Sequence, residues 1–424
     1  MTAALAEALD PVLSAAPDGE LGIAVSGGGD SMALLLLAHD WALARGRPVA
    51  VVTVDHGLRA AAAAEAEGVA RFCAALGIPH ETLRWTGWDG RGNLQDAARR
   101  ARRRLIAAWA RGRGLGAVAL GHTLDDQAET FLLRLARGSG VDGLAAMAEV
   151  AEAEGVLWLR PMLGLRREAL RRLLRGAGIR WVEDPGNADP AFDRVRARAA
   201  LEPLEALGIG PERLAVTAAA MRRARVALDR MTADLAARCL VAGPAGDATL
   251  DPAALAGATE EARLRLLAGA LCWVSGAPYR PRLARLRTAL AAIEQGRLGA
   301  GVTLHGCVLR PTTGAAAGGV AIRREPARVA PPVEPGPDGW DGRWRFEGPL
   351  PADPGVQIGA LGAAGLARLP RWRARGLPRE ALLTTPAVWH GDTLLAAPIA
   401  RPGIGPAVRR FSGSPSPWHV TILR

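Results

Sequence analysis

Short, near-continuous apolar runs alternate with stretches of helical periodicity through the N-terminal part of the chain. Residues 1 to about 20 read as an amphipathic helix, and Ile23 to Val25 as a buried strand with a β-branched residue at each end. Pro48 to Asp55 (PVAVVTVD) is a second β-branched run, followed by an Ala- and Glu-rich helix to about Leu76 and a strand over His80 to Trp85. Asn93 to Ala110 has helical periodicity and a basic face carrying Arg99, Arg100, Arg102, Arg103 and Arg104. Ala117 to Gly121 form a fourth short strand and Leu124 to Arg137 a long helix. Strands recurring at about every 30 residues with helices between them mean βαβ units and a parallel sheet, so the expected fold class is α/β and Rossmann-like.

The pattern then changes. From about Gly210 to Leu298 it is Ala, Leu and Arg in helical periodicity, broken at Gly243 to Gly246 and at Pro278, and Gly299 to Arg324 has hairpin character. Pro326 to Pro337 reads as a Pro-rich linker. Beyond it, short apolar runs at Trp344 to Phe346, Ala387 to Trp389 and Thr393 to Ala397 alternate with Gly and Pro, as in a small β-rich domain. The expected domains are therefore 1–205 (α/β), 206–325 (mainly helical) and 338–424 (small, β-rich).

The first strand runs directly into Ser26, Gly27, Gly28, Gly29, Asp30 and Ser31, and then into a helix start. Three glycines let the backbone turn sharply and bring N–H groups close to an anion, and the helix adds the positive end of its dipole. This is a phosphate cradle, but neither a Walker loop, which ends in Lys and Ser or Thr, nor a dinucleotide fingerprint fits it. Hydroxyls at Ser26 and Ser31 flank the loop, and the Asp30 carboxylate beside phosphates implies an intervening Mg²⁺.

Two further stretches, VDHGLR (with Asp55 and His56) and GHTLDDQAET (with His122, Asp126 and Glu129), also place polar groups just after a predicted strand. In a parallel α/β sheet the ligand lies beyond the carboxyl ends of the strands, so the fold would gather all three stretches at one edge. Asp126 and Glu129 are three apart on a helix and share a face, where they repel unless a metal, an arginine or an ammonium group lies between them. His122, Asp125 and Asp126 could also be read as a metal cluster, although Mg²⁺ bound with ATP needs fewer protein ligands, and Asp125 could serve as the helix N-cap.

Composition narrows the partners. The formal charge of +11 points to a polyanion, nucleic acid first, with solubilising surface charge as the plain alternative. The chain contains no lysine, so it has no Walker lysine and no Schiff-base lysine of its own. Cys73, Cys239, Cys272 and Cys307 are far apart, which leaves no zinc ribbon, no cluster-binding pattern and no redox pair. The absence of a long apolar run or a basic, apolar leader makes a cytoplasmic location and no membrane partner the expectation.

With its SGGGDS loop the sequence resembles the PP-loop ATP pyrophosphatases, which adenylate their substrates. The order SGGGDS, VDHGLR, GHTLDDQAET, followed by RGSGVDGLAAM (Arg137 to Met147), RPML (Arg160 to Leu163) and EDPGNADPAFDRVRAR (Glu183 to Arg198), resembles the tRNA(Ile)-lysidine synthetase branch. That resemblance implies ATP and Mg²⁺ as cofactors, and as partners free L-lysine and tRNA(Ile) with a CAU anticodon, with a homodimer left open. It further implies adenylation of the wobble cytidine, then displacement of AMP by lysine. ATP contacts are implied at Ser26 to Ser31, Asp55, His56 and His122, catalysis at Asp30, Asp126 and Glu129, and cytidine or tRNA contact at Arg102, Arg194 and Arg198. The second and third domains would bind tRNA, the third at the acceptor stem. Val195 stands where the family has Asn, and Arg103 where it commonly has Tyr. The rivals are another PP-loop tRNA-modifying enzyme, such as a thiolase, or a non-catalytic RNA-binding relative.

Overall fold

β-branched residues set the framework in the computed structural model, which describes residues 2–57, 61–86, 88, 94–183, 189, 191–313, 317–336, 339–348, 350, 353–403 and 405–410. The chain divides into two compact units, Met1–Arg225 and Val226–Leu423. In the first unit the elements run α1 (Thr2–Leu13), β1 (Leu21–Ala24), α2 (Gly29–Leu43), β2 (Val49–Asp55), α3 (Ala61–Ala75), β3 (His80–Arg84), α4 (Leu94–Gly112), β4 (Ala117–Leu120) and α5 (Leu124–Ala136). There follow α6 (Val141–Leu144), the hairpin β5 (Val150–Ala153) and β6 (Val156–Leu159), α7 (Arg167–Gly176), α8 (Asp193–Ala206) and α9 (Pro211–Cys239), the last running into the second unit.

The six strands form one sheet in the order β3-β2-β1-β4-β6-β5, parallel except for edge strand β5. Both faces of β1 and β2 are buried, because side chains alternate between two cores. Ile23 and Val51 join Leu9 and Leu13 of α1, Leu34 and Leu37 of α2, and Leu170 and Leu173 of α7. Ala24 and Val52 face Ile106, Ala107 and Trp109 of α4 on the other side. At roughly 1.5–3 kcal/mol for each fully buried large aliphatic side chain, these two layers hold the sheet rigid. The strand order reverses between β1 and β4, which opens a crevice beyond their carboxyl ends.

The second unit is built separately. Strands β7 (Leu240–Ala242) and β8 (Ala248–Leu250), helices α10 (Glu260–Ser275) and α11 (Leu283–Glu294), and strands β9 (Val302–Leu304), β10 (Cys307–Pro311) and β11 (Val320–Arg324) enclose one core. Their five-stranded antiparallel sheet has the order β7-β8-β11-β10-β9. Gly243 to Gly246, read as a break in a helical stretch, is thus the turn of a hairpin. The remaining part carries β12 (Trp344–Glu347), β13 (Val356–Ala360), the short helices α12 (Gly362–Ala367) and α13 (Arg379–Leu382), β14 (Pro386–His390), β15 (Thr393–Ala396) and β16 (Ala407–Arg410). The fully buried Arg343 ties it to α10: it pairs with Asp341 at 2.6 Å and donates to the carbonyl oxygens of Thr384 (2.7 Å) and Val274 (3.5 Å). No helix among the described residues is long and apolar enough to cross a membrane.

Candidate active site

The glycine loop leaves β1 and is held by its own hydroxyls. Ser31 donates to the Gly28 carbonyl at 2.9 Å, accepts from the Ser26 amide at 3.1 Å and lies 3.2 Å from the Ser26 hydroxyl. Gly27 has φ +83°, a conformation that L side chains rarely adopt. Gly29 begins α2, so the loop amides and the positive end of that helix face the same point. Two neighbours press on the loop from outside. A Cβ on Gly121 would stand 3.0 Å from Ser31 Cα and 3.1 Å from the Asp30 carbonyl oxygen, and one on Gly29 would stand 3.3 Å from the Trp181 ring.

Helix α5 starts with a capping box: the Thr123 hydroxyl accepts from the Asp126 amide, and Asp126 Oδ2 accepts from the Thr123 amide at 2.8 Å and its hydroxyl at 3.0 Å. Thr123, not Asp125, is therefore the cap. Asp125 instead accepts at 2.7 Å from the amide of Arg167, docking the start of α7 on the start of α5. Gln127 closes a second join, exchanging two 2.8 Å hydrogen bonds with the backbone of Met147.

Asp30, Asp126 and Glu129 meet in one place. A single guanidinium, Arg167, donates from Nε to Asp30 (3.0 Å), from Nη2 to Asp126 (3.1 Å) and from Nη1 to Glu129 (3.2 Å). Of the three agents that could relieve the Asp126–Glu129 repulsion, arginine is the one found here. Arg198 adds two donors to the same Glu129 oxygen, at 3.0 and 2.9 Å, and Arg194 reaches within 3.9 Å of Asp126. Glu129 is 1% exposed, and its Oε2 finds no hydrogen-bond donor among the described residues.

Electrostatics separates the acids. Burial raises the Asp30 carboxyl above its ordinary range, more than Arg167 lowers it. Burial pushes Asp126 the same way, but Arg167, His122 and the Thr123 amide outweigh it and hold that carboxyl low. The half-buried His122 is depressed well below the usual imidazole value by desolvation, against the pull of Asp126 and helped by Arg160, Arg194 and Arg102. His56 is lowered by burial and by the same Arg102, and packs edge-on against Trp85 with ring centroids 5.9 Å apart. Arg102 thus stands near both histidines. The Asp55 carboxylate accepts from the Gly57 amide at 2.8 Å and shapes the turn after β2.

Arg103 is turned away from this group: its guanidinium lies 5.7 Å from the Trp158 ring centroid and 3.2 Å from Glu154. Among the described residues no group of three or more His, Cys, Asp and Glu side chains is arranged to hold a metal, so the cluster of His122, Asp125 and Asp126 does not form. Leu58, Arg59 and residues 184–188 and 190 of the named motifs lie outside the described residues.

A PP-loop domain model matches residues 1–205. The chain is 48% identical over 391 residues to the tRNA(Ile)-lysidine synthase of Ruegeria pomeroyi, covering 91% of this chain and 90% of that protein. The chain belongs to the tRNA(Ile)-lysidine synthase family. A second member, from Bradyrhizobium sp. strain BTAi1, is 42% identical over 329 residues, or 74% of this chain and 91% of that one. Among solved structures, the U34-tRNA thiolase NcsA from Methanococcus maripaludis with its [4Fe-4S] cluster is similar at 14% identity and a TM-score of 0.45, covering 51% of this chain and 76% of that chain. As a PP-loop member of the lysidine synthase family, the chain is an ATP-using ligase.

Arg167 is the residue that the sequence reading missed. A cation in the first turn of a helix opposes the helix dipole, and that local misfit at the start of α7 was the available signal.

Proposed function

We propose that this protein ligates free L-lysine to carbon 2 of the wobble cytidine of tRNA(Ile) with a CAU anticodon, at the expense of ATP, in the cytoplasm. The observation that carries the reading is the meeting of Asp30, Asp126 and Glu129 around one cation beside the phosphate loop. The base oxygen at carbon 2 attacks the α-phosphorus, and pyrophosphate departs into the loop amides. The lysine Nζ then attacks carbon 2, AMP leaves with the oxygen, and the proton lost by nitrogen passes to a carboxylate. An ammonium of ordinary pKa near 10.4 must lose that proton before it can attack. Asp126, held low, holds the charge; Glu129, with a free buried oxygen, accepts the proton.

The residues present fit a Mg²⁺ ion: Asp30 and Asp126 reach a common cation and offer the hard oxygens that it prefers. Asp30 would hold it against the phosphates, where it would supply neutralising charge. Arg102, Arg194 and Arg198 are the proposed contacts to cytidine and tRNA, and Ser26 to Ser31, Asp55, His56 and His122 those to ATP. The second and third domains, 206–325 and 338–424, are proposed to bind the rest of the tRNA. Thiolation is disfavoured because all four cysteines are buried and burial pushes the Cys73, Cys239 and Cys272 thiols up to about 11, where no reactive thiolate forms near neutrality.

The test incubates the full chain with ATP, Mg²⁺ and radiolabelled lysine, with and without tRNA(Ile) bearing CAU. Label entering that RNA with release of AMP is the expected result. Pyrophosphate release indifferent to RNA, with no label transferred, would assign another ligase activity.

A further inference from the structure

The position that the proposed mechanism gives to the lysine ammonium, between Asp126 and Glu129, is held by a cation of the protein itself. Arg167 spends three of its five donors on three different acids, all within 3.2 Å. Its backbone cannot leave: the Arg167 amide is bonded to Asp125 at 2.7 Å, and the Leu124 amide to the Leu165 carbonyl at 2.9 Å. Its side chain can exchange partners, because it is held through guanidinium hydrogen bonds to carboxylates, which another anion can replace. Its Nε already touches Asp30, the acid at the end of the phosphate loop. A polyphosphate arriving in that loop offers the fork a denser and better-matched anion than three separate carboxylates. Glu129 would keep Arg198, so it would not be left as an uncompensated buried charge when Arg167 turns away. The unpartnered Glu129 Oε2 marks a further acceptor waiting in the same place.

We infer that Arg167 is an internal stand-in for the lysine side chain, which keeps the acid pair closed to free lysine until nucleotide phosphates draw its guanidinium aside. The Arg167 guanidinium fills the space that joins the two carboxylates, so lysine enters after ATP. The acids are never exposed as an open cation trap in the empty enzyme. The gate rests on the lysine reading given above.

Equilibrium dialysis of radiolabelled L-lysine against the full chain tests it, with and without Mg²⁺ and α,β-methylene ATP, for the native protein and for Arg167→Gln. The expected result is that the analogue tightens lysine binding to the native protein at least tenfold. Arg167→Gln should bind lysine with the same affinity in both conditions, a loss of nucleotide dependence that a merely structural role would not produce. Equal binding by the native protein with and without the analogue overturns the gate, as does a folded Arg167→Gln that still needs the analogue. Should that variant fail to fold, as judged by circular dichroism, the native pair of measurements decides alone. Label transfer to tRNA(Ile) by the same preparation separates the two failures: transfer with nucleotide-independent binding sinks only the gate, and neither transfer nor binding sinks the lysine reading with it.

Discussion

Single residues carry two separable tasks, shaping the cradle and managing charge. Gly121 belongs to the first: two backbone atoms of Ser31 and one of Asp30 stand 3.0 to 3.1 Å from where its Cβ would be, and backbone has little room to yield. Gly121→Ala should therefore shift the loop at a cost of about 1–3 kcal/mol and weaken ATP binding about tenfold or more, read by calorimetry with the analogue. Glu129 belongs to the second. Glu129→Gln should slow lysine transfer about 100-fold while leaving tRNA-dependent ATP–pyrophosphate exchange within a few-fold of native. Exchange slowed as much as transfer would overturn the proton-acceptor role assigned to Glu129.

At the scale of elements, α5 and α7 bring the three acids and Arg167 together by docking start to start. Thr123 is fully buried and holds Asp126 in position from both its amide and its hydroxyl. Thr123→Ala should cost about 1 kcal/mol in urea unfolding and also lower lysine transfer, because the Asp126 carboxylate loses one of the two bonds that Thr123 gives it. The sequence made much of this level legible. The first four strands and α2 to α5 follow from β-branched runs and helical periodicity, since burial on both sheet faces writes itself directly into composition. The β7–β8 hairpin was hidden because three-residue strands give too little alternation to be told from breaks in a helix. The acids were legible from their spacing within one motif. Their partner was not, because Arg167 reaches Asp30 across 137 positions of chain, and a cation misplaced at the start of α7 does not say which acids it meets.

Across the whole molecule, each unit has its own core, and the chemistry proposed here uses residues of the first. Residues from Ser26 to Arg198 converge because the sheet order reverses between β1 and β4, and the later motifs fold back onto that point. The return is made by the segment after α7: the Val182 amide donates to the Gly27 carbonyl at 2.9 Å, and Trp181 lies against Gly29. An indole on the wall of the nucleotide cradle is a built-in optical reporter. Adding the ATP analogue should alter the intrinsic emission of the protein, and although the chain has 12 tryptophans, Trp181→Phe should remove most of that change. Loop filling can then be followed by stopped-flow fluorescence without a dye, and its time course set beside that of lysine uptake.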